Sequence, residues 1–281
     1  MKVRRPAVAG RFYPGTATEI KNILERILRH EKENINYSLA GKDIIGGVSP
    51  HAGYMFSAYQ AVHLFEILKH SKKQFDTFVI INPNHTGYGD EISIDENDTW
   101  ETPLGLVNVD DELRENLGFT VSSDAHKYEH SGEVMVPMLQ YFLDYRFKIL
   151  PVTLSHQNVE NAKLIANRIF ETNKTMNRKL FFIASSDFSH YVNPDLGKRL
   201  DAFVINEILN LNPEGVYREI REKQVSACGF GPIMTLIEYS KLIARKPVAE
   251  ILKTGNSGEV IPSDEVVDYV SMIFYDDESN F

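Results

Sequence analysis

The chain has 281 residues, 43% of them hydrophobic and 25% charged, which is enough apolar surface for a sizeable core. Its formal net charge of −9, with no Lys/Arg run longer than a pair, argues against a nucleic-acid partner, because phosphate binding needs a clustered basic surface. No uninterrupted apolar stretch of about 18 residues exists, so no membrane span is expected.

The N-terminal arm, "MKVRRPAVAGRFYP", is basic but has no apolar run behind it and is broken by Pro6 and Pro14. No signal peptide is expected, and with Cys228 as the only cysteine the chain fits a reducing cytoplasm. A first helix follows, with His30 in its charged tail. "DIIGGVS" reads as a buried strand. "SAYQAVHLFEILKH" spaces Ala58, Val62, Phe65 and Leu68 as one helical face. "FDTFVIINP" is a second strand. The stretch 88–108 alternates like strands with turns and predicts a hairpin excursion, an antiparallel edge. "FKILPVTL" is a third strand and "NVENAKLIANRIFET" its helix; "KLFFIASSD" is a fourth and "DLGKRLDAFVINEILNL" its helix. "IMTLIEYSKLIA" is a late helix, and "AEILKTGN" and "VVDYVSMIFYD" are closing strands. With no Pro/Gly/Ser-rich linker, this predicts one α/β domain over 1–281, a mixed and mostly parallel sheet covered by helices on both faces.

The apolar runs end in polar clusters. The first ends in "SPHAGY" with His51, the second in "NPNHTG" with His85, the fourth in "SSDFSHY" with Asp187 and His190. Ligands of open α/β sheets bind outside the carboxyl ends of the strands. Three separate segments delivering histidine to one edge point to a site more than to three unrelated loop histidines. His156, after the third strand, is placed to approach the same edge. His130, with Glu129 and Glu133, reads either as a supporting or substrate-facing group or as part of a helix-cap region. His63 and His70 lie on a helix, where they face solvent or pack. In "SACGFGP", Cys228 alone reads as a small buried hydrophobe.

"PAVAGRFYP", "SPHAGY", "NPNH", "WETPLG", "EHSGEVMVP", "SSDFSHY", "ACG" and "GNSGEV…VVDYVS" occur in an order that resembles the Memo-like proteins, whose prokaryotic members are called AmmeMemoRadiSam system protein B. The likeness runs from the arm to the last strand. It implies a three-layer α/β/α sandwich similar to class III extradiol dioxygenases, which use non-haem Fe(II). It also implies metal ligands at His51, His85 and Cys228, with Asp187 and His190 lining the pocket and His190 where those dioxygenases carry a catalytic histidine. Partners implied by the family are a peptide or small-molecule ligand, a radical-SAM protein and an AMMECR-type protein. The chain departs from the family at Met135, where His or Gln is common, and at Arg11, where a small residue is common.

Two imidazoles and a thiolate leave coordination positions open. Iron is the first expectation; the softer sulfur brings copper and zinc into competition, and no nucleotide fingerprint is present. A helix start after Cys228 would favour its thiolate, and Gly229 and Gly231 would let the backbone approach the site. His190 would act as acid or base, and Asp187 would orient a histidine or cap a turn. A thiol that activated oxygen can oxidise argues against simple ring cleavage. The alternatives to a metal-dependent redox enzyme are a peptide-binding or metal-handling module and, third, a thiol hydrolase with Cys228 as nucleophile. Tyr54, Trp100 and Tyr191 either wall the pocket or simply pack.

Overall fold

The computed structural model describes residues 1–278. In chain order the strands are β1 (Val3–Arg4), β2 (Asp43–Ser49), β3 (Thr77–Pro83), β4 (Ile92–Ile94), β5 (Thr99–Thr102), β6 (Gly105–Val109), β7 (Thr120–Val121), β8 (Lys148–Leu154), β9 (Leu180–Ser185), β10 (His190–Val192), β11 (Pro247–Asn256) and β12 (Val266–Asp276). The helices are α1 (Ala17–Glu31), α2 (Tyr54–His70), α3 (Asp111–Asn116), α4 (Asp124–Lys127), α5 (Met135–Phe142), α6 (Val159–Met176), α7 (Pro194–Leu209), α8 (Pro213–Lys223) and α9 (Phe230–Ile243).

The described strands join one sheet, whose main path is β1-β5-β6-β8-β3-β9-β2-β12-β10; off this path β11 lies beside β12, β4 beside β8 and β7 beside β4. The centre, β6-β8-β3-β9-β2, is parallel; β12 closes it antiparallel to β2, and β11 pairs antiparallel with β12. The central strands are continuous apolar runs because both faces are covered. Phe78, Ile80, Phe181 and Ile183 point into one apolar layer with α1, α2 and α5. Val79, Ile81, Phe182 and Ala184 point into the other, with α6 to α9. This alternation follows from the two-residue period of a strand, and the result is the expected three-layer α/β/α architecture.

Gly46 and Gly47 sit in the middle of β2, where the layers come closest. A Cβ on Gly46 would lie 2.5 Å from the Phe182 carbonyl oxygen, and one on Gly47 would lie 2.6 Å from that of Met272. Neither position has room for any side chain. The excursion at 88–108 resolves into two pieces. β4 runs antiparallel to β8, and β5 and β6 form a hairpin that re-enters the sheet when β6 pairs parallel with Lys148 and Ile149. Several short elements have no counterpart in the sequence reading: β1, α3, β7, α4, α8 and β10. No helix is long and apolar enough to cross a membrane among the described residues.

One carboxylate gathers four donors of the arm. Glu133, fully buried, accepts from Arg4 Nη1 at 2.7 Å, from the Ala7 and Val8 amides at 2.8 and 3.0 Å, and from the Tyr13 hydroxyl at 2.7 Å. The arm then lays Phe12 against His130, ring centroids 4.4 Å apart, at the edge where the candidate site lies.

Candidate metal centre

The carboxyl ends of β2, β3 and β9 open onto His51, His85 and Asp187 at one edge of the sheet. Cys228 arrives from the other layer, in the loop between α8 and α9. One ligand atom each from His51, His85 and Cys228 lie within 4.8 Å of one another, and Cys228 Sγ is 3.2 Å from His51 Nε2. Metal–nitrogen bonds of about 2.0–2.1 Å and metal–sulfur bonds of about 2.3 Å put adjacent ligand atoms roughly 3–4 Å apart, so the set has the span of a metal site.

The hydrogen bonds behind the rings fix which nitrogen is free. His51 Nδ1 lies 2.8 Å from Ser185 Oγ, whose own proton goes to the Ser131 carbonyl at 2.7 Å. Ser185 can therefore only accept, so His51 Nδ1 carries the proton and Nε2 presents its lone pair toward the sulfur. His85 Nδ1 donates to Glu129 Oε1 at 2.9 Å, while the His85 amide donates to Oε2 at 2.6 Å. That carboxylate fixes both ring and backbone, as carboxylates commonly do behind metal-ligating histidines. Burial, which would raise the Glu129 pKa, is outweighed by its bonds to His85 and Ser131, and the carboxyl is held at about 2. His85, Glu129 and His130 also lie close enough to suggest a second cation site. Glu129 Oε1 already accepts from His85 Nδ1, Ser131 N and Ser131 Oγ, so this trio supports the first site.

Burial, reinforced by the neighbouring His130, His85 and His190, pushes His51 well below the usual imidazole range, so it is neutral at neutral pH. Burial likewise lowers His130 to about 4. The thiol moves the opposite way to the sequence expectation. Burial and then the Asp187 carboxyl push Cys228 up, and the helix start behind it does not offset them. Cys228 sits just ahead of the cap Gly229, with α9 beginning at Phe230.

Asp187 neither caps its own turn nor points away. Its Oδ1 accepts the His51 and Ala52 amides at 2.7 and 3.3 Å, and its own amide donates to Cys228 Sγ at 3.3 Å. It thus ties the His51 loop to the Cys228 loop. Burial raises its pKa against these amide bonds. His190 donates Nδ1–H to the Ser226 carbonyl at 2.9 Å, which leaves its Nε2 free as an acceptor. Beside it Tyr191 is 75% exposed with φ +56°, a conformation rare for a bulky residue.

Gly229 is where the Cys228 loop touches β9. A Cβ there would lie 2.1 Å from the Ser185 carbonyl oxygen. Gly229→Ala is therefore expected to push the loop outward, costing about 1–3 kcal/mol in stability and weakening metal binding as well. Thermal unfolding with and without metal checks both, and an unshifted midpoint would remove the argument.

Several expected placements change. His156 is exposed and outside the cluster. Its neighbour Gln157 does the work at this strand end, donating to the Cys228 carbonyl and accepting from the Gly231 amide, both at 2.7 Å. Tyr54 is buried with its hydroxyl on the Val134 carbonyl, and Trp100 is buried beneath Arg4, so neither walls the site. Met135 is core, packed with α2, and its departure from the family pattern removes nothing from the pocket. His63 is buried 3.0 Å from Glu31, whereas His70 is half-exposed. His126, fully buried between the Ser93 carbonyl and Thr153, is structural. Ser131 and Ser185 fall within quoted motifs, but neither they nor Gln157 had a readable role in the sequence, since single polar residues become recognisable only when the strands align.

A family model described as "Memo-like protein" matches residues 4–273. A MEMO1 family protein of Methanosarcina mazei is 39% identical over 97% of this chain and 99% of its own length. One from Methanosarcina barkeri is 40% identical over 96% and 99%, and one from Archaeoglobus fulgidus 38% identical over 97% and 99%. Among solved structures, an uncharacterised protein of Escherichia coli K12 superposes with a TM-score of 0.52 at 11% identity, covering 76% of this chain and 91% of that one, which shows a shared fold. With the match spanning nearly its whole length, the chain belongs to the Memo-like protein family.

Proposed function

We propose that this Memo-like protein is a metal-dependent redox protein in which His51, His85 and Cys228 hold the metal. Iron is the first choice, copper and zinc the alternatives, and the ligand is a small molecule or peptide side chain. The observation that carries the reading is the tautomer lock. Ser185 and Glu129 hold the Nδ1 protons of His51 and His85, so both Nε2 lone pairs are available beside one sulfur. A redox metal bound there would supply one-electron chemistry and a Lewis-acidic position open to ligand. Around it, His190 Nε2 accepts a proton from the ligand, and neutral His130 lies against the rings of His51 and Phe12. Asp187 fixes the relative position of the two loops. Ring cleavage is disfavoured as the reaction, because a thiolate ligand is itself oxidisable.

Chemical analysis of protein purified without oxygen tests this. Near-stoichiometric Fe, Cu or Zn is expected, and its loss in the His51→Ala/His85→Ala double variant. Substoichiometric metal that cannot be restored by adding any of the three would end the proposal. A non-catalytic binding or metal-handling role is favoured by the exposure of Tyr191 at the rim. Substrate turnover that disappears in the double variant separates the two. The thiol-hydrolase alternative is opposed by the electrostatics. Burial raises the thiol and lowers the imidazole 3.2 Å away, so the Cys228–His51 pair stays neutral and the nucleophile unactivated.

A further inference from the structure

Ser189 lies between Asp187 and His190 and is held from two sides. Its amide and hydroxyl donate to Asp201 Oδ1 at 3.2 and 2.6 Å, and its carbonyl accepts from the Asp268 amide at 2.8 Å. The Phe188 amide returns to the Asp268 carbonyl at 2.9 Å, so the whole segment is stitched to β12 and α7. The two aspartates adjoin. Gly197 and Asp201 stand one turn apart on the same face of α7. A Cβ at Gly197 would lie 2.1 Å from Asp268 Oδ2, so the Asp268 carboxyl is pressed onto the face that bears Asp201. Both are buried, at 3% and 7% exposure, and Asp268 Oδ2 has no hydrogen-bond donor.

Two adjacent buried carboxylates cannot both ionise cheaply. Burial and mutual proximity raise Asp201; burial raises Asp268, with Glu259 adding to it. The other groups facing the pair are His190 from β10, Tyr269 from β12 and Glu259 from the turn Ser257–Glu259, with Asp195 and Lys198 of α7 lining the same groove of about 520 Å³. Two further carboxylates, Glu259 and Asp195, against one lysine leave the balance negative.

We propose that Asp201 is a positioning residue for the candidate metal site, acting through a carboxyl–carboxylate pair with Asp268 that shares one proton and fixes Ser189 between Asp187 and His190. The inference rests on the metal reading of that site for its function, though not for its chemistry. With the proton shared, Asp201 keeps its acceptor oxygen on Ser189 and the pair binds α7 to β12. Both folded-state pKa values are raised, so the stabilisation is present at lower pH and is lost as pH rises and the shared proton leaves. Repulsion then separates α7 from β12 and releases the segment that holds His51 through Asp187.

The test uses the full chain and two readouts. The first is the thermal midpoint of metal-free protein across the range in which the pair loses its protons, from mildly acidic pH up to about 8. Wild type is expected to lose stability over this range. Asp268→Asn, whose carboxamide donates permanently to Asp201, should lose markedly less. The second is Co(II) affinity at one neutral pH, read from the thiolate-to-cobalt charge-transfer band. Asp201→Ala should weaken it several-fold, less than the roughly 10–100-fold typical of a group bonded directly to a ligand, whereas Asp201→Asn should largely restore it. Superimposable pH profiles for wild type and Asp268→Asn, or unchanged Co(II) affinity in Asp201→Ala, overturn the proposal. If Asp201→Ala does not fold, the first comparison decides. Absence of any cobalt band in wild type would defeat the metal reading while leaving the pH arm to judge the pair.

Discussion

Glu133→Ala is expected to destabilise the protein by about 3–5 kcal/mol, the usual cost of removing one partner of a buried ion pair. Arg4 is the partner: its side chain is 2% exposed, 2.7 Å from the carboxylate and 4.1 Å above the Trp100 ring. Its remaining bonds, to the His126 and Glu129 carbonyls at 2.8 Å, carry no compensating charge. The substitution also strands the Ala7 and Val8 amides and the Tyr13 hydroxyl, each a buried or half-buried donor. Glu133→Gln keeps the acceptor and the volume and should cost less. The double variant Arg4→Met/Glu133→Leu should recover much of the loss, because no unpaired charge remains. Denaturant midpoints measure all three. A loss under about 1 kcal/mol for Glu133→Ala would show that the arm is not held this way. The effect should reach the site, because the arm presents Phe12 to His130 and its carbonyl to the Tyr54 amide at 2.7 Å.

Cys228→Ala should weaken metal binding by more than about 100-fold, beyond the 10–100-fold typical of groups behind the ligands. The charge-transfer band of the Co(II) form should vanish with it, while His190→Ala should retain the band. Metal affinity of the wild type should also rise with pH, by about tenfold per unit, as one proton is released on binding. The sign follows from the pair. His51 is pushed below its usual range and has no proton to give up at neutral pH, whereas Cys228 is pushed above its range and must lose one. The gain therefore continues upward until the thiol of the metal-free protein ionises. Titration of Co(II) at several pH values measures the slope; a flat profile would mean that the sulfur is not a ligand.

Much of the frame was legible beforehand. Strands β2, β3, β8 and β9 and the helices α2, α6, α7 and α9 are written as apolar runs and helical faces, because both layers of the sandwich must be covered along the chain. Alternation in 88–108 announced a hairpin, which β5 and β6 form, but not that β4 and β6 take different halves of the same β8 edge. Helix α8 and strand β10 were invisible: the first is a short polar surface helix, and the second has three residues whose pairing depends on β12.

The sequence by itself determined that His51, His85, Asp187 and His190 follow apolar strands, because strand and loop are neighbours in the chain. It could not determine what stands behind those residues. Ser185 meets His51 across 134 positions, Glu129 meets His85 across 44, and Gln157 reaches the Cys228 carbonyl across 71. Nor could it order the charges: a helix start suggested an easily ionised thiol, and burial beside Asp187 reverses that. Asp201 and Asp268 are 67 positions apart and meet only because α7 packs on β12 over Gly197. Local pattern sets which residues reach the sheet edge. Only the tertiary packing decides their tautomers, their ionisation and their partners, because these depend on what water is excluded from and which donor lies within about 3 Å.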